Sequence, residues 1–366
     1  MTGVLTAAVV GAGLLGARHA RVYAEMAGCR LAGVYDVDAG RAGALAARHG
    51  VRAFASLEEL LRADVHAVSV VTPDHAHYAP ASACLEAGAH VLVEKPLALE
   101  PAEADALIRR AAERRRVLMV NYSQRWLPES RRIERLVRAG DLGEIAFVES
   151  HRWDAAWVPQ RMIAGWAART TPIHFMSSHD IDLILSWTGR RARRVYAVAH
   201  RGALRTDGLL DGFDALVTLE GGTRVSLHSS WILPETFPAA ADTRLEILGA
   251  RGGLFLDGNR RELSLFMPDH SERITFAGPR TADEVNGRIA GAFVESLSAF
   301  VQAARTDDLE AATSAAGTRH VVEVQAAIVA SAARGVEVAL PPDGGAHRPV
   351  RIAGPGDVTI PGGGPA

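Results

Sequence analysis

The stretch Ala8-Val9-Val10-Gly11-Ala12-Gly13-Leu14-Leu15-Gly16-Ala17-Arg18-His19-Ala20 constrains the fold more than any other part of the chain. An apolar run from Ala7 to Val10 enters a glycine turn, and an alanine-rich helical pattern leaves it. Strand, G-x-G-x-x-G turn and helix, in that order, make a cradle for a pyrophosphate. Gly11 allows the tight turn, Gly13 lets the backbone approach the phosphates, and Gly16 lets the helix lie close on the strand. Leu14 and Leu15 open the helix, whose free N–H groups face the phosphates. A second strand pattern, Leu31 to Asp36, ends in an acid twenty residues beyond Gly16. A carboxylate there binds ribose hydroxyls and repels a 2′-phosphate, so NAD is the expected cofactor and NADP is disfavoured. Arg41, close by in sequence, weakens that preference. The competing reading is an ordinary strand–helix turn with a solvated Asp36.

The first third of the chain alternates strand and helix patterns. Strands are expected at Thr6 to Gly11, Leu31 to Asp36, Val51 to Ala55, His66 to Thr72, His90 to Glu94 and Val117 to Tyr122. Ser56 with Glu59 forms a capping box for one intervening helix, and Pro101 suits the first turn of another, about 100 to 115. Apolar strands joined by helices give a parallel sheet covered on both faces. With the glycine turn, this predicts a Rossmann dinucleotide-binding domain over residues 1–123. From 124 to 340 the rhythm changes to strands linked by turns such as Glu220-Gly221-Gly222 and Asp257-Gly258-Asn259, interrupted by a helix at about Ile173 to Trp187 and followed by helices at about Glu284 to Arg305 and Ala312 to Arg334. The expected second domain is α+β, built on an open, mostly antiparallel sheet. Residues 341–366 form a Gly/Pro-rich tail.

Composition excludes several classes. The net charge of −2 gives no electrostatic footprint for nucleic acid or an anionic membrane. No apolar run approaches the roughly 20 residues that span a bilayer. The 2 cysteines, Cys29 and Cys84, have no metal-ligand spacing and suit a reducing compartment. The chain enters its first strand at once, without a signal-peptide pattern. A cytoplasmic location is expected.

Ligands of such sheets bind beyond the carboxyl ends of the strands. Gly11 to Gly16, Asp36, Thr72-Pro73, His75, His77 and Glu94-Lys95-Pro96 therefore read as cofactor-binding, with Tyr122 and Arg125 beyond the last strand as substrate-pocket candidates. Lys95 ends a strand where the nicotinamide end would lie, and it suits a hydroxyl-binding or proton-relay role; the plainer reading is a surface lysine before a helix-starting proline. A cis Lys95–Pro96 bond is compatible with the sequence. His75 and His77 line the cofactor site or cap the next helix. On a continuous helix His179, Asp182 and Leu183 share a face with Phe175, with His174 about one residue's turn away. A neutral imidazole is a natural general base for an alcohol proton; a core histidine is the alternative. No second histidine stands four residues from His174 or His179, so no metal is expected. Trp153, Trp157 and Trp166 offer flat faces for a sugar or cyclitol ring, or pack in a core or a subunit contact.

Taken together these motifs resemble the Gfo/Idh/MocA oxidoreductase family over residues 5–340. The likeness rests on Gly11-Ala12-Gly13-Leu14-Leu15-Gly16, Thr72-Pro73 with His77, Glu94-Lys95-Pro96, His179-Asp180-Ile181-Asp182-Leu183 and Leu245 to Gly252. It implies an NAD-dependent enzyme that moves a hydride between nicotinamide and a secondary alcohol or ketone of a sugar or cyclitol. Lys95 and His179 would be the catalytic pair, Trp153, His174 and Asp182 would join the substrate side, and the open sheet would pair subunits into a homodimer or homotetramer. Many members carry an Asp four residues before the histidine; here that residue is Phe175. The rival activities are an NAD-retaining glycosidase on the same scaffold and a non-enzymatic dinucleotide-binding regulator.

Overall fold

The computed structural model describes residues 4–204, 206, 208–309 and 313–341. The chain forms two compact units, one of residues up to Leu127 with Gly278–Arg319, the other of Pro128–Ala277 with the chain from His320 on. The expected boundary after 123 falls near the first crossing, but the chain returns to the first unit at Gly278, which a division into consecutive segments does not foresee.

In the first unit, β1 (Leu5–Val10), β2 (Cys29–Tyr35), β3 (Arg52–Ala53), β4 (Ala67–Val70), β5 (His90–Val93) and β6 (Leu118–Val120) pair in the order β3-β2-β1-β4-β5-β6. All the pairings are parallel. The intervening helices are α1 (Leu14–Glu25), α2 (Ala39–His49), α3 (Leu57–Arg62), α4 (Tyr78–Glu86) and α5 (Pro101–Arg114). β1, β4 and β5 are buried throughout, as parallel strands between two helical layers must be. Val10, Val70, Val93 and Val120 stand in register, so four strands end level with one another. The strand order reverses between β1 and β4, which marks the ligand crevice of such sheets. Ser56 caps α3 by accepting from Glu59 N–H, as its sequence predicts. The Glu59 carboxylate, however, closes on Ala55 N–H rather than on Ser56.

The second unit holds α6 (Pro128–Arg138), β7 (Ile145–Ala155), α7 (Pro172–Phe175), α8 (Ser178–Thr188), β8 (Ala192–His200), β9 (Gly212–Leu219), β10 (Arg224–Leu233), β11 (Ala241–Gly249), β12 (Gly253–Asp257), β13 (Glu262–Phe266) and β14 (Ser271–Thr275). The helix expected over Ile173 to Trp187 is two helices. Met176 (φ −107°, ψ −61°) and Ser177 (ψ 0°) break it, and Ser177 stands at the N-cap of α8; serine favours such positions over a helix interior. The expected helix from Glu284 begins only at Ala292. Before it, β15 (Asp283–Val285) and β16 (Arg288–Ala290) form a hairpin across Asn286-Gly287, both with positive φ, the dipeptide that two-residue hairpins select. The hairpin and α9 (Ala292–Thr306) belong to the first unit, where Phe293, Leu297 and Phe300 pack with Val9, Tyr23 and Met119.

After α10 (Ala315–Arg334), β17 (Val338–Ala339) completes the second unit's nine-stranded sheet, ordered β14-β13-β12-β11-β7-β10-β9-β8-β17. Its pairings are antiparallel except β7 with β10, which are parallel. One face meets helices. Ile181, Ile184 and Leu185 of α8 converge with Val217, Val225 and Leu227 of the sheet and Val324 of α10. The other face exposes Phe147, Tyr196, Leu216, Leu248 and Phe266, because strand residues alternate between faces. The tail expected over 341–366 lies, beyond Pro341, outside the described residues. Among the described residues no helix is long and apolar enough to cross a membrane.

Candidate active site

The three glycines of the first turn hold the places their spacing predicts. Gly11 has φ +104°, and a Cβ on it would sit 2.3 Å from Val71 O. A Cβ on Gly16 would sit 1.9 Å from Gly11 O, so α1 lies against the turn as closely as a backbone can. A Cβ on Gly13 would meet nothing within 4 Å, so this side of the loop is open. Gly13 caps α1 with no side chain on the first amides, and the first turn carries no acid. Leu14 is exposed, and Leu15 packs partly onto the core. Asp36 follows β2 and accepts from Ala12 N–H at 2.6 Å and from Asp38 N–H at 2.8 Å. Arg41 pairs with Asp38 at 3.0 Å.

Thr72, Pro73 and His75 follow β4, and Lys95 follows β5, so they share the crevice side with the glycine loop. Thr72 Oγ1 donates to Ala76 O at 2.9 Å. His77 stands at the N-cap of α4 without capping it. Its buried ring instead ties two loops together, Nδ1 lying 2.7 Å from Pro96 O and Nε2 2.9 Å from Thr72 O. Its position is that of a scaffold group. Lys95–Pro96 is cis. Glu94, expected at the cofactor, turns inward and is buried; His19 Nε2 lies 3.0 Å and Asn121 Nδ2 2.6 Å from its Oε1. A side chain that alternates off the last residues of a covered parallel sheet has only the interior to enter. Tyr122 is buried, and Arg125 rides the short helical turn Ser123–Trp126.

In the second unit His179 lies in the first turn of α8, with buried Asp180 and Asp182 beside it. Asp180 receives both Nε and an Nη of Arg152 at 2.8 Å, which ties α8 to β7. His174 is fully buried on α7; burial lowers its pKa to about 4, so its ring is neutral at neutral pH. Thr171 Oγ1 lies 2.8 Å from its Nδ1. Phe175 packs into an aromatic group with Trp166 and Trp231, ring centroids 5.8 and 6.3 Å away. With the helix broken at Met176–Ser177, the single face expected to join Phe175 to His179 does not form. Trp153 is not with these residues. It follows Arg152 on β7, so it points to the opposite, open face of the sheet, where it stacks on His151 at 4.5 Å. Among the described residues no group of three or more His, Cys, Asp or Glu is placed to hold a metal ion.

Comparison with known proteins agrees with this construction. Residues 5–122 match the family model described as oxidoreductase family, NAD-binding Rossmann fold, and residues 130–255 match the C-terminal domain of the same family. The chain is 38% identical over 230 residues to UDP-N-acetylglucosamine 3-dehydrogenase of Acidithiobacillus ferrooxidans, covering 62% of this chain and 67% of that protein. The chain belongs to the Gfo/Idh/MocA oxidoreductase family. It is also 31% identical over 259 residues to inositol 2-dehydrogenase 2 of Saccharopolyspora erythraea, covering 68% of this chain and 72% of that one. The solved structure of the Acidithiobacillus ferrooxidans enzyme superposes with a TM-score of 0.75 at 29% identity, over 89% of this chain and 97% of that one.

The family's dinucleotide fits the residues present. An open Gly13, uncapped amides at the start of α1 and a carboxylate at the end of β2 are the donor and acceptor set that a pyrophosphate and a ribose require. Two features escaped the motif reading. The buried partners of Glu94, among them His19 and Asn121, carry no spacing signature beyond His19 standing one turn after Gly16. The second was legible in the residue counts: of the 40 Lys and Arg residues in the chain, Lys95 is the one lysine.

Proposed function

We propose that this NAD-binding oxidoreductase oxidises a secondary alcohol of a sugar or cyclitol, or reduces the matching ketone, with Lys95 and His179 as the catalytic residues. The observation that carries the reading is the sole lysine of the chain standing after β5, at the same end of the sheet as an open glycine loop. Gly11 to Gly16 and Asp36 would hold the dinucleotide, with Thr72, Pro73 and His75 on the neighbouring strand end. When bound, the nicotinamide supplies the hydride acceptor at C4. Oxidation removes a hydride from carbon and a proton from oxygen and leaves a carbonyl. In this reading the Lys95 ammonium donates to the reacting oxygen, and the His179 imidazole takes its proton. Neutral His174, Asp182, Tyr122 and Arg125 are proposed to contact the remaining hydroxyls.

The relatives' names motivate two first probes, UDP-N-acetylglucosamine and myo-inositol. The stripe of Phe147, Tyr196, Leu216 and Leu248 on the open sheet face supports a homo-oligomer built through that face, and Trp153 belongs to that surface rather than to the substrate. Cys29 and Cys84 are free thiols, pushed up by burial to about 11 and about 12, which suits a reducing cytoplasm.

The test is NADH formation with those two probes and a panel of sugars and cyclitols, run on wild type, Lys95→Ala, Lys95→Arg and His179→Ala. Turnover of one polyol, reduced about 100-fold or more in each variant, is expected. Arginine keeps the charge but not the compact ammonium, so it does not rescue. Unchanged turnover in Lys95→Ala refutes the assignment. Tight NAD binding without turnover of any polyol or ketone points instead to a glycosidase that retains its dinucleotide, or to a regulator.

A further inference from the structure

The buried polar groups of the first unit form one chain that the proposed reaction does not itself use. Tyr23 Oη lies 2.6 Å from Ser69 Oγ, Ser69 Oγ 3.0 Å from His19 Nδ1, and His19 Nε2 3.0 Å from Glu94 Oε1. Asn121 Nδ2 donates to the same Glu94 oxygen at 2.6 Å, and Ser296 Oγ donates to Asn121 Oδ1 at 2.7 Å. The other Glu94 oxygen accepts Lys95 N–H at 3.2 Å. All the contributing side chains are buried, His19, Tyr23, Ser69 and Ser296 to 0% exposure. Phe293 sets its ring edge-on against His19 at 5.0 Å. Groups from α1, β4, α9 and the residue after β6 thus converge on one carboxylate whose neighbour in sequence is the sole lysine.

The hydrogen bonds have a consistent direction. Burial raises the Tyr23 pKa, so its hydroxyl remains a donor, here to Ser69. The Glu94 carboxylate only accepts, so His19 Nε2 carries the proton that faces it, while Nδ1 meets the Ser69 hydroxyl. Burial works against charge on Glu94. The His19 and Asn121 hydrogen bonds and the nearby Lys95 charge outweigh it, and its pKa lies below the ordinary value. A buried ion of this kind is a poor way to gain stability, since apolar residues of similar size pack as well or better. Its cost is reasonable where a neighbouring group must be held in one place.

We propose that His19 is a positioning residue for Lys95, acting through Glu94, whose carboxylate holds the Lys95 amide. The inference rests on the reading of Lys95 as the reacting amine. It makes His19 part of the active-site construction from a buried position on α1.

The sole lysine makes the test direct. Protein labelled with ¹³C at lysine gives one side-chain Cε–Hε cross-peak, and that peak reports Lys95 alone. In His19→Leu the peak is expected to move by more than its line width, with NADH affinity within about threefold of wild type. His19→Gln, whose amide can still donate to Glu94, returns the peak to its wild-type position. Ser69→Ala removes the hydroxyl that meets both His19 Nδ1 and Tyr23 Oη while keeping His19 and Glu94, and it moves the peak in the same direction by less; this variant carries the test where His19→Leu does not fold. An unmoved peak, or equal displacement in the Leu and Gln variants, overturns the inference. Full polyol turnover by Lys95→Ala overturns the functional reading and the inference with it. An unmoved peak together with an inactive Lys95→Ala overturns the inference alone.

Discussion

Gly13→Ala separates binding from folding more sharply than any other single change in the glycine turn. Gly13 has φ −74° and ψ −166°, which alanine adopts without strain, and its added Cβ meets nothing within 4 Å. Alanine is a poorer N-cap than glycine by up to about 1 kcal/mol. Against that, removing a glycine from the unfolded chain stabilises by about 0.4–1 kcal/mol. The two nearly cancel, so Tm is expected to stay within about 4 °C of wild type. Binding behaves differently, because the methyl group stands where phosphate oxygens would reach the loop amides. A hydrogen bond to a charged group is worth about 1.5–3 kcal/mol, so loss of one weakens NADH binding about 10- to 100-fold. Gly16→Ala provides the contrast. Its Cβ would lie 1.9 Å from Gly11 O and 2.8 Å from the carbonyl carbon, both backbone atoms that cannot turn aside. Overpacking of that kind costs about 3 kcal/mol or more, a Tm loss of about 10 °C. Thermal melts and NADH fluorescence titrations on both variants read the two effects. Wild-type NADH affinity in Gly13→Ala, or equal destabilisation by the two substitutions, refutes the reasoning.

Asp36→Ala removes the carboxylate proposed to bind the ribose and leaves Ala12 N–H without its Asp36 acceptor; the preference for NADH over NADPH should fall about tenfold or more in paired titrations, and an unchanged ratio removes Asp36 from cofactor selection. Arg152 and Asp180 are a buried bidentate pair, with 12% and 7% side-chain exposure. Asp180→Asn should cost about 3–5 kcal/mol in urea unfolding, and the joint change Arg152→Met with Asp180→Leu should cost less than either change alone; additive losses would show that the pair is not coupled. His174 has a folded pKa of about 4 against 6.5 for the free side chain. Between those values the unfolded state binds more protons, so the stability is present above pH 6.5 and lost as the pH falls toward 4. The full effect is about 3 kcal/mol, and His174→Gln should flatten the acid limb of a stability–pH curve by that amount relative to wild type. His90, lowered to about 4 chiefly by its own burial, keeps its contribution in the variant.

Most of the first unit was legible because its constraints are local. A glycine that must have φ near +104°, or must let a carbonyl lie within 2 Å of its absent Cβ, has no substitute among the other residues, so the turn reads directly from the sequence. The second helical segment was less legible because α7 and α8 are both apolar enough for a continuous helix, and only Ser177 signals the break. The Asn286-Gly287 hairpin was readable but was submerged in the helical pattern of α9 that follows it. The return of α9 to the first core was not readable at all. Phe293, Leu297 and Phe300 make an amphipathic face whose spacing says that it packs and not against what. The placement of Trp153 turned on parity alone: one residue of register along β7 separates the face that holds Arg152 to α8 from the open face.

The departure at Phe175 and the single lysine bear on the same chemical question. Phe175 is partly buried and packs against Trp166, Trp231 and the core around Met176, so an aspartate there would set its charge against aromatic and apolar surfaces. The phenylalanine is therefore in keeping with its neighbours, and proton chemistry is left to fewer groups. His174 is neutral down to about pH 4 and exchanges no proton near neutrality. Of the residues singled out on α7 and α8, that leaves His179 as the imidazole suited to take a hydroxyl proton. Elsewhere the chain meets its need for positive charge with arginine, whose guanidinium does not give up a proton in proteins. An ammonium is retained only where the proposed reaction would require a compact donor able to join a proton relay. Glu94, whose carboxylate accepts the Lys95 amide, is held from the interior by His19 and Asn121. In the proposed reaction, a phenylalanine at 175 and a lone lysine at 95 would leave the acid–base work to one amine and one imidazole.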